Sequence, residues 1–233
     1  MQTYQTAPAT RSSKKSPEST SLPVACFSTY VAEPSQQAAR HRDVRNFLLA
    51  LSGEQVSGTS AIPVGHDERT LTTMNANDSI DWFGEMVVQY LDSSQILPPF
   101  GLVPVPTPQT TLASSAGPWT SLLAISIASN GLEDASVLDL LRWQEPIPEQ
   151  RCHTVAELYE NLAVIRPFPT DRAIVLVDYL FTTSTMLRAC AARLKRHGAN
   201  VVLGLCAGRT AKEASYDPFT VVTGALERYI PGH

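Results

Sequence analysis

An α/β fold with a mainly parallel central sheet flanked by helices is what three consecutive stretches predict. Ala173 to Val177 is an unbroken apolar run, Ala199 to Cys206 is a second strand-like run, and the amphipathic segment Thr185 to His197 joins them. A strand buried on both faces reads as continuous apolar sequence, and two parallel strands need a crossover that a helix supplies. Strand, helix and strand of these lengths form a right-handed βαβ unit. Val175, Leu176 and Val177 are therefore expected in a central strand with neighbours on both sides, and Val201 to Leu205 in the same sheet.

The remaining elements follow along the chain. Residues 1–22 are rich in Ser, Thr, Pro, Gln and Lys and carry Arg11, Lys14 and Lys15. So few large apolar groups cannot offset the entropy of ordering, so a disordered polar tail is expected, followed by a single domain over 23–233. The basic tail allows a contact with a partner or a nucleic acid. Val24 to Val31 reads as the first strand. Ser35 is a candidate cap for a helix reaching Ser52 and ended by Gly53; Val44, Phe47, Leu48 and Leu51 make its apolar stripe, and Arg40, Arg42 and Arg45 its solvated face. Gly53 to Thr73 gives no clear assignment.

A second helix is expected over Asn77 to Leu91, with Ile80, Phe83, Val87 and Tyr90 at helical spacing. Leu102 to Pro106 reads as a strand ending in a rigid turn. Pro118 suits the first turn of a helix running to Asn130 and closed by Gly131. Ser136 to Arg142 is read as one short strand, and His153 to Leu162 as a helix capped by Thr154. Leu187, Cys190, Ala191 and Leu194 form the inward face of the helix Thr185 to His197, which Gly198 stops.

Bulk properties narrow the function. The chain has 233 residues and a formal net charge of −4, which argues against a general polyanion binder. No Lys or Arg occurs between Arg69 and Arg142. Cys26, Cys152, Cys190 and Cys206 show no CxxC and no metal spacing with His, as expected of reduced thiols in the cytoplasm. No apolar run is long enough to span a bilayer. Trp82, Trp119 and Trp143 are expected in the core or a small hood and not as base-stacking platforms, His153 and His197 carry no catalytic or metal spacing, and Glu157 and Glu160 belong to a solvated helix face.

Chemistry concentrates in the segment Asp178-Tyr179-Leu180-Phe181-Thr182-Thr183-Ser184-Thr185. It is read as a strand that stops at Asp178 and a turn over Tyr179 to Ser184. The C-terminal edge of an open parallel sheet is where such folds bind ligands, and the helix N-terminus that follows favours an anion. Thr182 to Thr185 add hydroxyl donors for phosphate oxygens. Asp178, an acceptor when ionised, suits the hydroxyls of a ribose. The same hydroxyl run could instead serve only to cap the helix. Arg209 and Thr210, just past the last strand, and Thr107, after Pro106, are further candidate contacts.

Val175 to Leu187, VLVDYLFTTSTML, resembles the phosphoribosyl pyrophosphate (PRPP) signature of type I phosphoribosyltransferases, with the ComF-like, amidophosphoribosyltransferase-like branch as the nearest match. Leu102 to Pro106 is similar to that branch's pyrophosphate-side strand. Leu140 to Arg142, Gln150 and Asn161 resemble its Leu-Arg, Gln and Asn positions. The resemblance implies a sheet with a small hood, PRPP or another ribose 5-phosphate compound as ligand, and Mg2+ with Asp178 as a metal contact. It also implies roles for Asp178 in catalysis and for Tyr179, Thr182, Thr183, Ser184 and Thr185 in binding. The pattern is degenerate: Tyr179 replaces a second acid, Ser184 a glycine, Met186 a threonine, and Thr107 to Ser121 lacks basic residues. Two functions remain open, a phosphoribosyltransferase that moves a ribose 5-phosphate unit between PRPP and a nitrogen nucleophile or cleaves such a bond, and a non-catalytic relative acting as a nucleotide or phosphate sensor, homo-oligomer or subunit of a nucleic-acid-handling complex.

Overall fold

The computed structural model describes residues 21–31, 39–94, 96, 99–132, 134–148, 152–213 and 217–232. Ser35, Gln150 and residues 1–20 of the expected tail lie outside these.

The strands of the main sheet are β1 (Ser21–Cys26), β2 (Thr29–Val31), β5 (Phe100–Pro104), β6 (Ala135–Val137), β9 (Ala173–Phe181), β10 (Asn200–Ala211) and β11 (Val222–Glu227). They run in the order β11-β1-β10-β9-β5-β6, with β2 also paired to β10. All pairings are parallel except β1 with β11, which is antiparallel. β9 therefore lies between β10 and β5, the central position expected for Val175 to Val177. Leu203, Gly204 and Leu205 pair with Val175, Leu176 and Val177 in parallel.

Among the described residues, five α-helices cover the two faces: α1 (Ala39–Leu51), α2 (Asp78–Ser93), α3 (Thr120–Ser129), α4 (Val155–Asn161) and α5 (Thr185–Arg196). Residues of α1, α2 and α3 pack with Val175, Val177 and Leu205 in one core. Residues of α4 and α5 pack with Ile174, Leu176 and Val201 in the other. The alternation of Ile174/Leu176 with Val175/Val177 between cores is the two-residue strand period at work. Full burial of one such side chain contributes about 1.5–3 kcal/mol, and these four are wholly buried.

The α1 stripe of Val44, Phe47, Leu48 and Leu51 is buried as expected, and Gly53 follows at φ +77°. Helices α2 and α3 cross closely at Gly84, where a β-carbon would lie 2.3 Å from Ser126 Oγ. Ser126 Oγ uses that space to donate to Ile80 O at 2.9 Å.

Several expected boundaries shift. β1 begins at Ser21, and Leu22 is buried in it, so the last residues of the expected tail belong to the sheet. Val24 to Val31 is two strands, broken at Phe27–Ser28, where Ser28 Oγ donates to Ala207 O at 2.8 Å. The unassigned stretch after Gly53 contains a hairpin, β3 (Ser60–Val64) and β4 (Asp67–Leu71), joined through Gly65 at φ +64°. Its signal was the alternation in Ser-Ala-Ile-Pro-Val, with Ser60, Ile62 and Val64 buried. Ser136 to Arg142 is not one strand: β6 joins the main sheet, whereas β7 (Leu141–Trp143) pairs antiparallel with β8 (Leu162–Val164). Thr154 caps α4 in a reciprocal box with Glu157, so Glu157, though exposed, has a structural use. None of the described helices is long and apolar enough to cross a membrane.

Candidate functional site

A cavity of about 700 Å3 opens at the C-terminal ends of β5 and β9. Strand β9 and the start of α5 supply one wall, including Asp178, Thr182, Thr183 and Thr185. The loop that leaves β5 supplies the facing wall through Thr107 and Gln109. Trp119, Ile147, Leu158 and Met186 add apolar surface.

β9 does not stop at Asp178 as expected. It continues through Tyr179, Leu180 and Phe181, with Leu180 and Phe181 paired to Gly208 and Arg209. The strand-forming preference of Tyr179 and Phe181 carries the signal for this extension. The turn is thereby confined to Thr182, Thr183 and Ser184. Ser184 sits at the N-cap of α5 with helical backbone angles and makes no side-chain cap bond. The hydroxyl run is therefore not accounted for by capping at Ser184. The first-turn amides of α5 have no carbonyl of their own helix to bond. Thr183 and Thr185 share a hydroxyl–hydroxyl bond of 2.7 Å.

Asp178 occupies one row with two thiols, since Cys206 pairs with Asp178 and Cys26 pairs with Cys206 across adjacent strands. Cys190 of α5 lies close enough for the Asp178 charge to raise its pKa, after burial, which is the larger cause. In these surroundings, loss of hydration pushes the Asp178 carboxyl up to about 6, partly offset by a bond from the Tyr179 N–H. That bond measures 2.8 Å to Oδ1. Asp178 keeps some exposure, but it lines the cavity instead of facing bulk solvent. Weak hydration and access to a ligand are thus compatible.

Tyr179 is used differently. Its ring lines the cavity and meets Trp119 edge-on at 5.1 Å between centroids. Its hydroxyl donates to Leu48 O on α1 at 2.8 Å. Burial, the main cause, pushes its pKa up to about 12. The phenol therefore ties β9 to α1. Sequence offers no signal for a bond between residues so far apart.

The loop after β5 is internally tied. Val105 N donates to Val177 O, and Thr120 Oγ1 donates to Val105 O at 2.7 Å. Thr107 Oγ1 and Thr110 Oγ1 are 2.6 Å apart, and Trp143 Nε1 donates to Thr107 O at 3.0 Å. Thr107 lines the cavity. Arg209 does not line it; its Nε donates to Thr29 Oγ1 at 3.2 Å, on β2. Arg142 pairs with Asp139, through Nη2 to Oδ2 at 2.6 Å, and Asn161 clamps both backbone groups of Glu145. Neither lines the cavity.

Among the described residues that line the cavity there is no Lys or Arg, and Asp178 is the one carboxylate. His153 Nε2 donates to Pro148 O at 3.0 Å. No group of three or more His, Cys, Asp or Glu side chains suited to a metal occurs among the described residues. Mg2+ takes oxygen ligands in near-octahedral geometry, and a single carboxylate already accepting a backbone N–H does not by itself hold it. The donors among the described lining residues thus do not by themselves fit a protein-held Mg2+.

No protein-family model matches this chain, and no curated protein matches it. Among solved structures, adenine phosphoribosyltransferase from Saccharomyces cerevisiae, complexed with D-2,5-dideoxy-2,5-imino-altritol 1,6-bisphosphate and adenine, is similar at a TM-score of 0.39 and 10% identity. The alignment covers 71% of this chain and 89% of that one. A likeness of this size does not bear on ligand or activity; the α/β class rests on the sheet itself.

Proposed function

We propose that this chain is a phosphoribosyltransferase-like protein that binds a ribose 5-phosphate compound in the cavity, with the phosphate at the 182–185 turn and the ribose hydroxyls at Asp178. The observation that carries the reading is the placement of Asp178, Thr182, Thr183 and Thr185 on one cavity at the N-terminal end of α5. A helix N-terminus offers backbone N–H groups and a partial positive charge to an anion. A carboxylate within the same concavity offers acceptors to hydroxyls.

No cation occurs among the described lining residues, which favours the non-catalytic form of this reading. Cleaving a pyrophosphate from ribose needs positive charge where the leaving group develops negative charge. The facing wall supplies Thr107 and Gln109 instead. A nucleotide or phosphate sensor, acting alone, as a homo-oligomer or within a larger complex, needs only the monophosphate end of the site. Mg2+ enters as a companion of ligands that bring their own phosphate oxygens, and a cytoplasmic setting is part of the proposal.

Titration calorimetry with phosphate, ribose 5-phosphate and PRPP, each with and without Mg2+, tests it. Ribose 5-phosphate is expected to bind best relative to its charge, with little dependence on Mg2+, and Thr183→Glu is expected to weaken this binding. Tight Mg2+-dependent PRPP binding would restore the active transferase. No binding of ribose 5-phosphate or PRPP would remove the ribose-phosphate reading altogether.

A further inference from the structure

A second polar cavity, of about 450 Å3, lies between α1 and the loop before β3. Its lining includes Arg42, Arg45 and Asn46 from α1 and Ser57, Gly58 and Thr59 from the loop. It shares no residue with the cavity at β9.

The two arginines differ from most others in the protein. Arg40 pairs with Glu68, Arg69 with Glu85 and Arg142 with Asp139. Arg188, Arg193 and Arg228 donate to backbone carbonyls. Arg42 and Arg45, both exposed, meet no acceptor among the described residues. The facing loop is held in shape from below. Asn46, 9% exposed, donates to Ser57 O at 3.0 Å and to Ser60 Oγ at 2.8 Å. Gly58 has φ +73° and open space where a β-carbon would be. The backbone N–H groups of Ser57, Gly58 and Thr59 bond to no carbonyl among the described residues.

We infer that this cavity binds a tetrahedral phosphate oxyanion, free or as a small phosphomonoester, with Arg42 and Arg45 as its charge partners. Arginine's planar fork suits two phosphate oxygens at once, and charge-assisted bonds are stronger than neutral ones. The loop adds hydroxyls and uncommitted amides in a shape already fixed by Asn46, so little ordering is needed on binding. Asp43 also lines the cavity and reduces its net charge to that of one cation. That balance suits a single compact anion and tells against a nucleic acid tract, which needs a run of cations.

The test is an amide chemical-shift titration of the full chain with inorganic phosphate and, separately, with O-phosphoserine, at matched ionic strength. The amides of Gly58 and Thr59 are expected to move saturably with at least one of the two, and the pair of probes separates free phosphate from an ester as the source. Arg42→Gln with Arg45→Gln is expected to raise the midpoint at least about tenfold, as loss of charge-assisted bonds requires. Asp43→Asn is expected to lower it. Thr183→Glu, in the other cavity, is expected to leave these shifts unchanged, so failure of the ribose-phosphate reading would show separately. Shifts that never saturate, or that survive the double substitution, would mean an adventitious ion only and would overturn the inference, as would amides that do not move.

Discussion

The two walls of the β9 cavity are both rich in threonine, yet they stand in opposite states. On the β5 side, the polar groups of 105–112 are largely spent on one another and on Trp143, which donates to Thr107 O and Thr110 O and accepts from Leu112 N. On the α5 side, Thr182 and Ser184 make no side-chain bond among the described residues, and the first-turn amides are uncommitted by their own helix. A hydrogen bond already made inside the protein must be broken before a ligand can use it, and its net worth of about 0.5–1.5 kcal/mol is then lost. The α5 wall is thus the available handle, and the β5 wall a rigid backstop.

The largest expected effect tests the backstop. Trp143 is fully buried, and its indole donates to Thr107 O while its backbone makes the other two bonds to the loop, so Trp143→Ala, which removes the ring and the indole bond, is expected to cost about 3–5 kcal/mol in denaturant unfolding. A loss near zero would mean that the loop is not held in this way.

Next comes a direct contrast of the walls. An added carboxylate at Thr183 should repel a phosphate at α5 and weaken ribose 5-phosphate binding by about 1–3 kcal/mol, as for other charge-to-charge contacts in partly screened sites. The same change at Gln109, on the facing wall, should alter it little. Equal losses in a binding isotherm would erase the distinction.

The Asp178 carboxyl offers a pH test. Its pKa is raised to about 6 in the fold, against about 3.9 in an unfolded chain. Between these values the folded state binds more protons than the unfolded one, so stability rises as pH falls through this window. Above about pH 6, the charged group carries its full burial cost. Asp178→Asn is therefore expected to stabilise the protein at pH 8, on the order of 1 kcal/mol after allowance for solvent screening, with the gain fading toward pH 4. It should at the same time weaken ribose 5-phosphate binding more than phosphate binding. Parallel stability–pH curves for the two proteins would show that Asp178 is not under this strain.

The smallest effect concerns the tether. Tyr179→Phe removes the hydroxyl bond to Leu48 O and keeps the ring on Trp119. A loss of about 0.5–1.5 kcal/mol is expected, with phosphate affinity unchanged. A large drop in phosphate affinity would instead make the hydroxyl part of the ligand site.

Local pattern alone was enough for the central βαβ unit, because burial on both faces leaves a continuous apolar run and an amphipathic helix leaves a stripe. It was enough, too, to place Thr182, Thr183 and Ser184 at the junction of β9 and α5, although the strand runs three residues past the expected end at Asp178. It fell short where a residue's use depends on what lies across the molecule. Whether Tyr179 faces a ligand or Leu48, whether Arg209 reaches the cavity or Thr29, and whether Thr107 is free or bonded to Thr110 are choices among partners of comparable local chemistry. Strand pairing and helix packing decide them, because they alone set which hydrogen-bonding groups meet at about 3 Å and which stay uncommitted.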